Sequence, residues 1–158
     1  MEIVSNISSI IFLAKLNIFH LVKNKFSKIL VSKEVFDEIS AKQSPETNVI
    51  KRELNNFIEI IKLKKIKELP LDYGERAAIS LCLEKNLGFL SDDKVARNYA
   101  RSLGIEVIGV LGVIIWNFEN KKLTKLETLK LINDLLKNDF YISANLYSEI
   151  IDYTNSFD

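Results

Sequence analysis

The sequence predicts an α/β fold in which helices cover both faces of a mainly parallel sheet. Short apolar runs of strand length alternate with longer segments whose apolar residues recur at helical spacing. Parallel strands need long crossover connections, and helices supply them, so this alternation is typical of layered α/β proteins. The last three periodic segments have no strand between them, which predicts a group of C-terminal helices.

The first half of the chain contributes two predicted strands and three predicted helices. A strand in EIVS is followed by a long helix in SSIIFLAKLNIFHLVKNKF, where apolar residues recur every three or four positions. SKILVS is the second predicted strand, and Ser32 is a suitable N-cap for the helix KEVFDEISAK. Pro45 suits the first turn of the next helix, which we expect to run through ETNVIKRELNNFIEII.

In the second half, GERAAISLCLEKN is predicted to be a helix and LGFLS a buried strand. DKVARNYARSLG fits a helix with Val95, Tyr99 and Leu103 on its apolar stripe, and Gly104 suits its C-terminal end. IEVIG is the last predicted strand, before helices in VLGVIIWNFEN, KLETLKLINDLLKN and SANLYSEIIDYT. We therefore expect a single domain over residues 1–158, with a helical extension over roughly 124–158.

The composition limits the chemistry that the protein can perform. Its 158 residues, 47% hydrophobic and 27% charged, suit one globular domain. One cysteine, Cys82, and one histidine, His20, exclude a disulfide framework and a Cys/His zinc site. We place Cys82 in the core and His20 on the rim of a helix, so carboxylates remain as the groups for chemistry.

The overall charge and the longest apolar run point to neither nucleic acid nor a membrane. A net charge of +1 gives no electrostatic signal for nucleic acid, although a local basic groove stays compatible with it. Two sets of lysines are able to contact phosphates, but lysine runs on connections are usually solvated, so neither set is placed in the site: Lys62, Lys64, Lys65 and Lys67, and Lys121, Lys122 and Lys125. The run VIGVLGVIIW is too short to span a bilayer and no targeting signal is visible, so we expect a cytoplasmic protein.

Polar side chains follow two of the predicted strands. Asn6 follows the first strand, and Asp92 and Asp93 follow LGFLS. In open parallel sheets ligands bind beyond the carboxyl ends of the strands, so these side chains are expected at one edge. At about 100° per residue, Glu38 borders the buried face of its helix. Glu75 opens another helix, whose positive end favours a carboxylate.

Each of these acids also has a purely structural explanation. Asp72 and Glu75 fit a D-x-x-E capping box. Asp92 is able to cap the helix that starts at Asp93, and taken alone this is the simpler interpretation. Glu38 would then be a charge on the rim of its helix. Spacing by itself leaves a metal site and a set of helix caps both open.

The order of several motifs resembles that of PIN-domain proteins, most of all a VapC-like prokaryotic subfamily. The motifs are G-E-x-x-A-I from Gly74, D-D-x-x-A-R-x-x-A-x-x-L-G-I from Asp92, and a G-x-x-G helix start at Gly109. The resemblance covers nearly the whole chain and implies a Rossmann-like three-layer fold. It also implies an endoribonuclease that depends on Mg²⁺ or Mn²⁺, as the toxin of a toxin–antitoxin pair, with RNA as substrate and a small antitoxin as partner.

The resemblance also implies the residues of the site. The implied metal ligands are Asn6, Glu38, Glu75, Asp92 and Asp93, of which the four acids are also the implied catalytic residues. Arg97 and Ser8 are implied to contact the substrate. Asn6 stands where the family has its first aspartate, and its amide oxygen brings no negative charge to a dication.

Two other functions are compatible with the sequence. A PIN-like module that binds RNA or a protein without cleaving RNA is favoured by Asn6 and by the near-zero net charge. A receiver-like signalling domain ranks last, because the first strand ends in SNISS where a receiver needs acids. Trp116 and the apolar C-terminal helices are candidates for a homodimer interface and equally for core packing.

Overall fold

The structure is a computed structural model that describes residues 1–157 and confirms the predicted α/β fold. The strands are β1 Ile3–Ser5, β2 Ile29–Ser32, β3 Ile58–Ile61, β4 Gly88–Leu90 and β5 Val107–Ile108. The helices described are α1 Ile7–Lys15, α2 Phe19–Lys23, α3 Lys33–Ala41, α4 Pro45–Glu53, α5 Tyr73–Lys85, α6 Lys94–Ser102, α7 Val110–Glu119, α8 Lys125–Lys137 and α9 Ala144–Asn155. All pairs of neighbouring strands are parallel.

The order of the strands creates a crevice beside β1. The sheet runs β3-β2-β1-β4-β5, and Ile3 of β1 pairs with Ile29 on one side and Gly88 on the other. The chain therefore moves outward from β1 to β3, then returns to the other side of β1 for β4 and β5. The order reverses between β1 and β4, and ligands of open α/β sheets bind at such a point.

Residues 1–157 fall into two compact units, each with its own packing. The first, Met1–Val110, contains the whole sheet, and the second is the chain from Leu111 onward. Ile132, Ile142 and Ile150 form an apolar cluster in the second unit. The division falls at the start of α7, whereas the predicted helical extension begins near residue 124. No helix within residues 1–157 has both the length and the apolar character that crossing a membrane requires.

Helix α5 anchors the first unit, because it packs on β1, β2 and β4. Its middle is a run of buried small and apolar residues, among them Ala77, Ala78 and Leu81. Cys82 lies in this run, so its predicted place in the core is confirmed. Strands β1 and β2 are buried at every residue, as expected when helices cover both faces of a sheet.

Two of the predicted helices are shorter than expected. The helix expected through ETNVIKRELNNFIEII ends at Glu53, and Ile58–Ile61 forms β3 beside β2 instead. Asn55 has a left-handed φ of 61°, which stops the helix, and the β-branched isoleucines that follow suit a strand. The first predicted helix is likewise divided into α1 and α2 at Asn17, whose φ is 53°.

The predicted apolar stripe of α6 is wrong. Val95 is 63% exposed and Leu103 38% exposed, whereas Ala96 and Ala100 are fully buried. Helix α6 packs close to β5, and only small side chains fit where a helix backbone approaches its neighbour so closely. The large apolar residues of α6 therefore lie on its exposed face, and the two alanines lie on the face that packs against the sheet.

This arrangement predicts opposite outcomes for two substitutions one residue apart. Ala96→Leu should lower the free energy of unfolding by about 1–3 kcal/mol, because it overpacks a buried position. Val95→Ser should change it by less than about 0.5 kcal/mol, because Val95 faces solvent. Urea unfolding followed by circular dichroism measures both values. A larger loss at Val95 than at Ala96 would contradict the observed orientation of α6.

Candidate functional site

Asn6 lies at the carboxyl end of β1 and ties it to the end of β4. Its backbone N–H donates to the carbonyl of Leu90 at 3.2 Å, and its Nδ2 donates to Ser91 Oγ at 2.9 Å. Its Oδ1 accepts from the Ser9 N–H at 3.1 Å, so Asn6 is also the N-cap of α1. The side chain is 1% exposed. In this arrangement the Nδ2 of Asn6 faces the crevice, and its Oδ1 caps helix α1.

Glu75 reaches the same place from the first turn of α5. Asp72 is the N-cap of this helix and accepts from the Glu75 N–H at 2.9 Å. That is one half of the predicted capping box, and the reciprocal bond is absent from the described part of the chain. The Glu75 carboxyl instead makes hydrogen-bond contacts with Asp93 and Asn6. The Glu75 side chain therefore points into the crevice and does not cap its own helix.

Glu75 carries an unusually high pKa. Burial raises the pKa of Glu75 to about 7, and the nearby charges of Asp93 and Asp72 add to this shift. A hydrogen bond with Asp93 acts in the same direction, whereas the bond from Asn6 opposes it. Burial is therefore the main reason that Glu75 resists losing its proton, and the negative neighbours reinforce it. Perturbed carboxyl groups of this kind are enriched in functional sites.

The two adjacent aspartates have different roles. Asp93 is the N-cap of α6, since its Oδ2 accepts from the Ala96 N–H at 2.9 Å. The suggestion that Asp92 caps this helix is wrong. Both residues are good N-caps by type, and the helix begins one residue later than that suggestion requires.

Asp92 is held by donors from two other parts of the first unit. Its Oδ2 accepts from Ser9 Oγ at 2.6 Å, and its Oδ1 accepts from the Val110 N–H at 3.0 Å. Burial raises the pKa of Asp92, and the bonds from Ser9 and Val110 and the charge of Arg97 oppose that shift. Each oxygen of this carboxylate therefore has a protein donor.

Arg97 and Gly109 complete the surroundings of Asp92. Arg97 Nη1 donates to the carbonyl of Ser91 at 2.9 Å. A Cβ at Gly109 would lie 2.5 Å from Asp92 Oδ1 and 2.6 Å from Arg97 Nη1, so a side chain there would displace both groups. The expected contact of Arg97 with substrate stays a prediction, because the observed contacts of its guanidinium are within the protein.

Glu38 lies on α3, and its carboxylate is close to the start of α5. Its side chain is exposed, and its carboxylate lies so close to Gly74 that a Cβ there would be 2.5 Å from Glu38 Oε1. Glu38 thus rests on the backbone at the start of α5, one residue before Glu75. Asp37 points to solvent and pairs with Lys33 at 3.0 Å.

The structure brings some of the predicted site residues together and leaves others apart. Glu75, Asp93 and Asn6 meet, whereas Asp92 is turned toward Ser9 and Val110. No group of three or more His, Cys, Asp or Glu side chains within residues 1–157 is arranged to hold a metal ion. Mg²⁺ is often bound by one or two carboxylates and several waters, and the Glu75–Asp93 pair fits that pattern. The five-ligand set itself stays a prediction.

Three residues of this network were missed by sequence reasoning, namely Ser9, Ser91 and Val110. Ser9 lies three residues after the N-cap Asn6, and Ser91 directly precedes the aspartate pair, so position alone pointed to both. Ser8, the predicted substrate contact, is half-buried on α1, and its role stays a prediction. Val110 contributes a backbone N–H, which residue type does not reveal.

Solved structures with this fold include three that share little sequence with the chain. A PilT N-terminus domain protein, SSO1118 from the archaeon Sulfolobus solfataricus P2, has a TM-score of 0.57 and 22% identity over 75% of this chain and 95% of its own. The PIN domain endonuclease Utp24 has a TM-score of 0.55 and 14% identity over 69% and 84%. VapBC2 from Rickettsia felis, bound to a promoter DNA fragment, has a TM-score of 0.50 and 11% identity over 69% and 98%. At these identities the likeness shows a shared fold.

Sequence comparison supplies the family. No curated protein shows significant sequence similarity to this chain. A family model, DUF3368, described as a PIN domain, matches residues 2–156. Because that match spans nearly the whole chain and the parallel sheet agrees with the structural neighbours, the chain belongs to the PIN-domain family.

Proposed function

We propose that this protein is a divalent-metal-dependent endoribonuclease and the toxin of a toxin–antitoxin pair. The observation that carries the proposal is the meeting of Glu75 and Asp93 at the point where the strand order reverses. PIN domains are generally nucleases, and a structural neighbour is described as a PIN domain endonuclease. A carboxylate pair next to a crevice supports phosphodiester hydrolysis better than nucleophilic chemistry, because the chain offers one histidine and one buried cysteine.

Glu75 and Asp93 would hold Mg²⁺ or Mn²⁺ in this proposal, with Glu38 and Asp92 nearby. When bound, such an ion neutralises phosphate charge and lowers the pKa of a water molecule. Glu75 would have to lose the proton that its raised pKa favours before its carboxylate binds a cation. Asn6 would orient Glu75 through its amide, and the bonds of Asp92 to Ser9 and Val110 would keep the edge of the crevice in place.

The proposed partner is a small antitoxin that covers the crevice. A cationic side chain, such as arginine, would form charge-assisted hydrogen bonds with the carboxylate pair and compete with the metal. The structural likeness to VapBC2 supports such a partner. The likeness to VapBC2 also supports a homodimer, which we propose to form through the C-terminal helices.

A second candidate is a PIN-like module that binds RNA or a protein and cleaves weakly or not at all. The observation that favours it is the arrangement of Asn6, whose oxygen caps α1 and whose amide donates to Ser91. An amide in that arrangement adds no negative charge to the crevice. Metal affinity therefore separates the two candidates.

The raised pKa of Glu75 predicts that stability falls as pH rises from about 4.5 to about 7. In this window the folded chain keeps a proton on Glu75 that the unfolded chain has lost, so the slope of unfolding free energy against pH is negative. Glu75→Gln removes this titration and should be more stable than the wild type near pH 8, by on the order of 1–2 kcal/mol after allowance for solvent screening. Urea unfolding across that pH range measures the difference. The matched control is Glu84→Gln, at an exposed carboxylate of the same helix, and equal pH profiles for the two variants would contradict the assignment.

Cleavage of RNA should depend on both a divalent metal and the carboxylate pair. Glu75→Gln and Asp93→Asn should each slow metal-dependent cleavage by about 100-fold or more, because each removes a charge that binds the ion. Asparagine is also a good N-cap, so Asp93→Asn keeps the start of α6. Gel assays of single-stranded and structured RNAs, with Mn²⁺ or with chelator, measure the rates. Glu84→Gln should cleave like the wild type, and cleavage that persists in chelator would contradict the proposal.

Asn6→Asp should increase metal affinity and the rate of cleavage by about tenfold each. It should also lower the free energy of unfolding when a chelator removes the metal. Aspartate keeps the cap of α1 but adds a charge beside Glu75 and removes the amide that donates to Ser91. The loss in unfolding free energy should be about 1–3 kcal/mol without metal. Isothermal titration with Mn²⁺ and cleavage rates test this expectation. Unchanged affinity and rate would show that charge at this position is not limiting.

A further inference from the structure

The C-terminal unit contains a solvent-open cavity of about 480 Å³ that is distinct from the carboxylate crevice. Its volume lies within the roughly 300–1,000 Å³ of typical ligand sites. Its apolar residues are Phe118, Leu123 and Phe157, and its cationic residues are Lys121, Lys122 and Lys125. We call this the lysine–phenylalanine pocket.

The charges of the pocket favour an anion. All three lysines are exposed, and no carboxylate within residues 1–157 forms an ion pair with them. The three lysines outnumber the two carboxylates of the pocket, which keep their charge and accept hydrogen bonds within the protein. Glu127 accepts from the Thr124 N–H at 2.9 Å, and Glu119 accepts from the hydroxyl of Tyr153.

The turn that carries the lysines is fixed by backbone hydrogen bonds. The Lys121 N–H donates to the carbonyl of Phe118 at 3.1 Å, and the Lys122 N–H donates to Asn117 at 2.8 Å. Lys121 has a left-handed φ of 59°, a conformation that a side chain with a Cβ adopts at a cost. The backbone that carries Lys121 and Lys122 is thus set before a ligand binds, and Lys125 follows in the first turn of α8, so binding requires no ordering of the backbone.

An aromatic cluster forms the apolar part of the pocket. The ring centroid of Phe157 lies 5.2 Å from that of Phe118 and 4.9 Å from that of Tyr153, both in edge-to-face geometry. Phe157 remains 45% exposed although its ring is held by two neighbours. A partly exposed and positioned aromatic ring next to amines is the combination that binds unpaired bases.

We propose that the lysine–phenylalanine pocket binds a nucleotide unit of single-stranded RNA, with phosphates on the lysines and a base against Phe157. A nucleotide carries an anion and an aromatic ring in one residue, whereas an acidic peptide divides them between side chains. Duplex RNA keeps its bases stacked inside and leaves the apolar surface of the pocket unused. The choice of RNA rests on the proposed ribonuclease function, but binding at this pocket needs neither metal nor cleavage.

The test measures binding of a short, fluorescently labelled single-stranded RNA of mixed sequence to the full chain by anisotropy, in chelator. The triple variant Lys121→Gln, Lys122→Gln, Lys125→Gln should bind about tenfold more weakly and show a salt slope smaller by about 2. Phe157→Ala should also bind about tenfold more weakly, and Phe157→Trp should restore binding. The matched controls are Lys130→Gln with Lys137→Gln, exposed lysines of α8 outside the pocket, and Tyr141→Ala, an exposed aromatic residue. These controls should bind like the wild type.

Several results would overturn the proposal. Equal losses in the pocket variants and the lysine controls would mean that the chain binds RNA through general charge. Equal affinity for duplex RNA would remove the role of Phe157, and tight binding of an acidic aromatic peptide in place of RNA would assign the pocket to a protein. Glu75→Gln separates this proposal from the nuclease, since it should slow metal-dependent cleavage by about 100-fold or more and leave the affinity of the lysine–phenylalanine pocket for RNA in chelator unchanged. RNA binding through the pocket without any metal-dependent cleavage would refute the nuclease alone.

Discussion

The pairing of β1 with β4 is the contact on which the candidate site depends. It places Asn6 against Leu90 and Ser91, so that residues from opposite halves of the chain share one crevice. Helix α5 packs on both of these strands and delivers Glu75 to the same place. The carboxyl ends of parallel strands meet at one edge, and crossover helices start there with their positive ends facing it. Backbone geometry alone therefore creates an edge that favours acidic side chains.

Burying a carboxyl group beside other acids at such an edge is unfavourable without a counter-charge, and the raised pKa of Glu75 reflects its burial first and the neighbouring negative charges second. Asn6 reduces this cost, because its amide donates a hydrogen bond where an aspartate would add a third negative charge. Asp92 avoids it differently, by accepting bonds from Ser9 and Val110. The folded chain thus accommodates an acidic crevice through these hydrogen bonds, and the same adjustment lowers the negative charge that would attract a cation. Both proposed functions follow from this balance.

Much of the fold and part of the site could be predicted from sequence, because strand ends and helix caps have local signals. Those signals placed Asn6, Glu75 and Asp93 at one edge of the sheet. They did not separate Asp92 from Asp93, since adjacent aspartates suit a cap equally well and tertiary donors decide between them. The strand Ile58–Ile61 was missed because its pairing with β2 overrides a helical pattern. The packing face of α6 depends on how closely a neighbour approaches, which the sequence does not state.

The bond between Asn6 and Ser91 joins residues 85 positions apart. Closing a loop of that length costs roughly 4 kcal/mol of chain entropy, which only a completed sheet can offset. During synthesis, Leu90 and Ser91, the distant partners of Asn6, do not exist until β4 has left the ribosome, so an unfinished chain has no assembled crevice. Partial unfolding that releases β4 would separate the same groups. Any activity that depends on this crevice is therefore available only after β4 is in place beside β1.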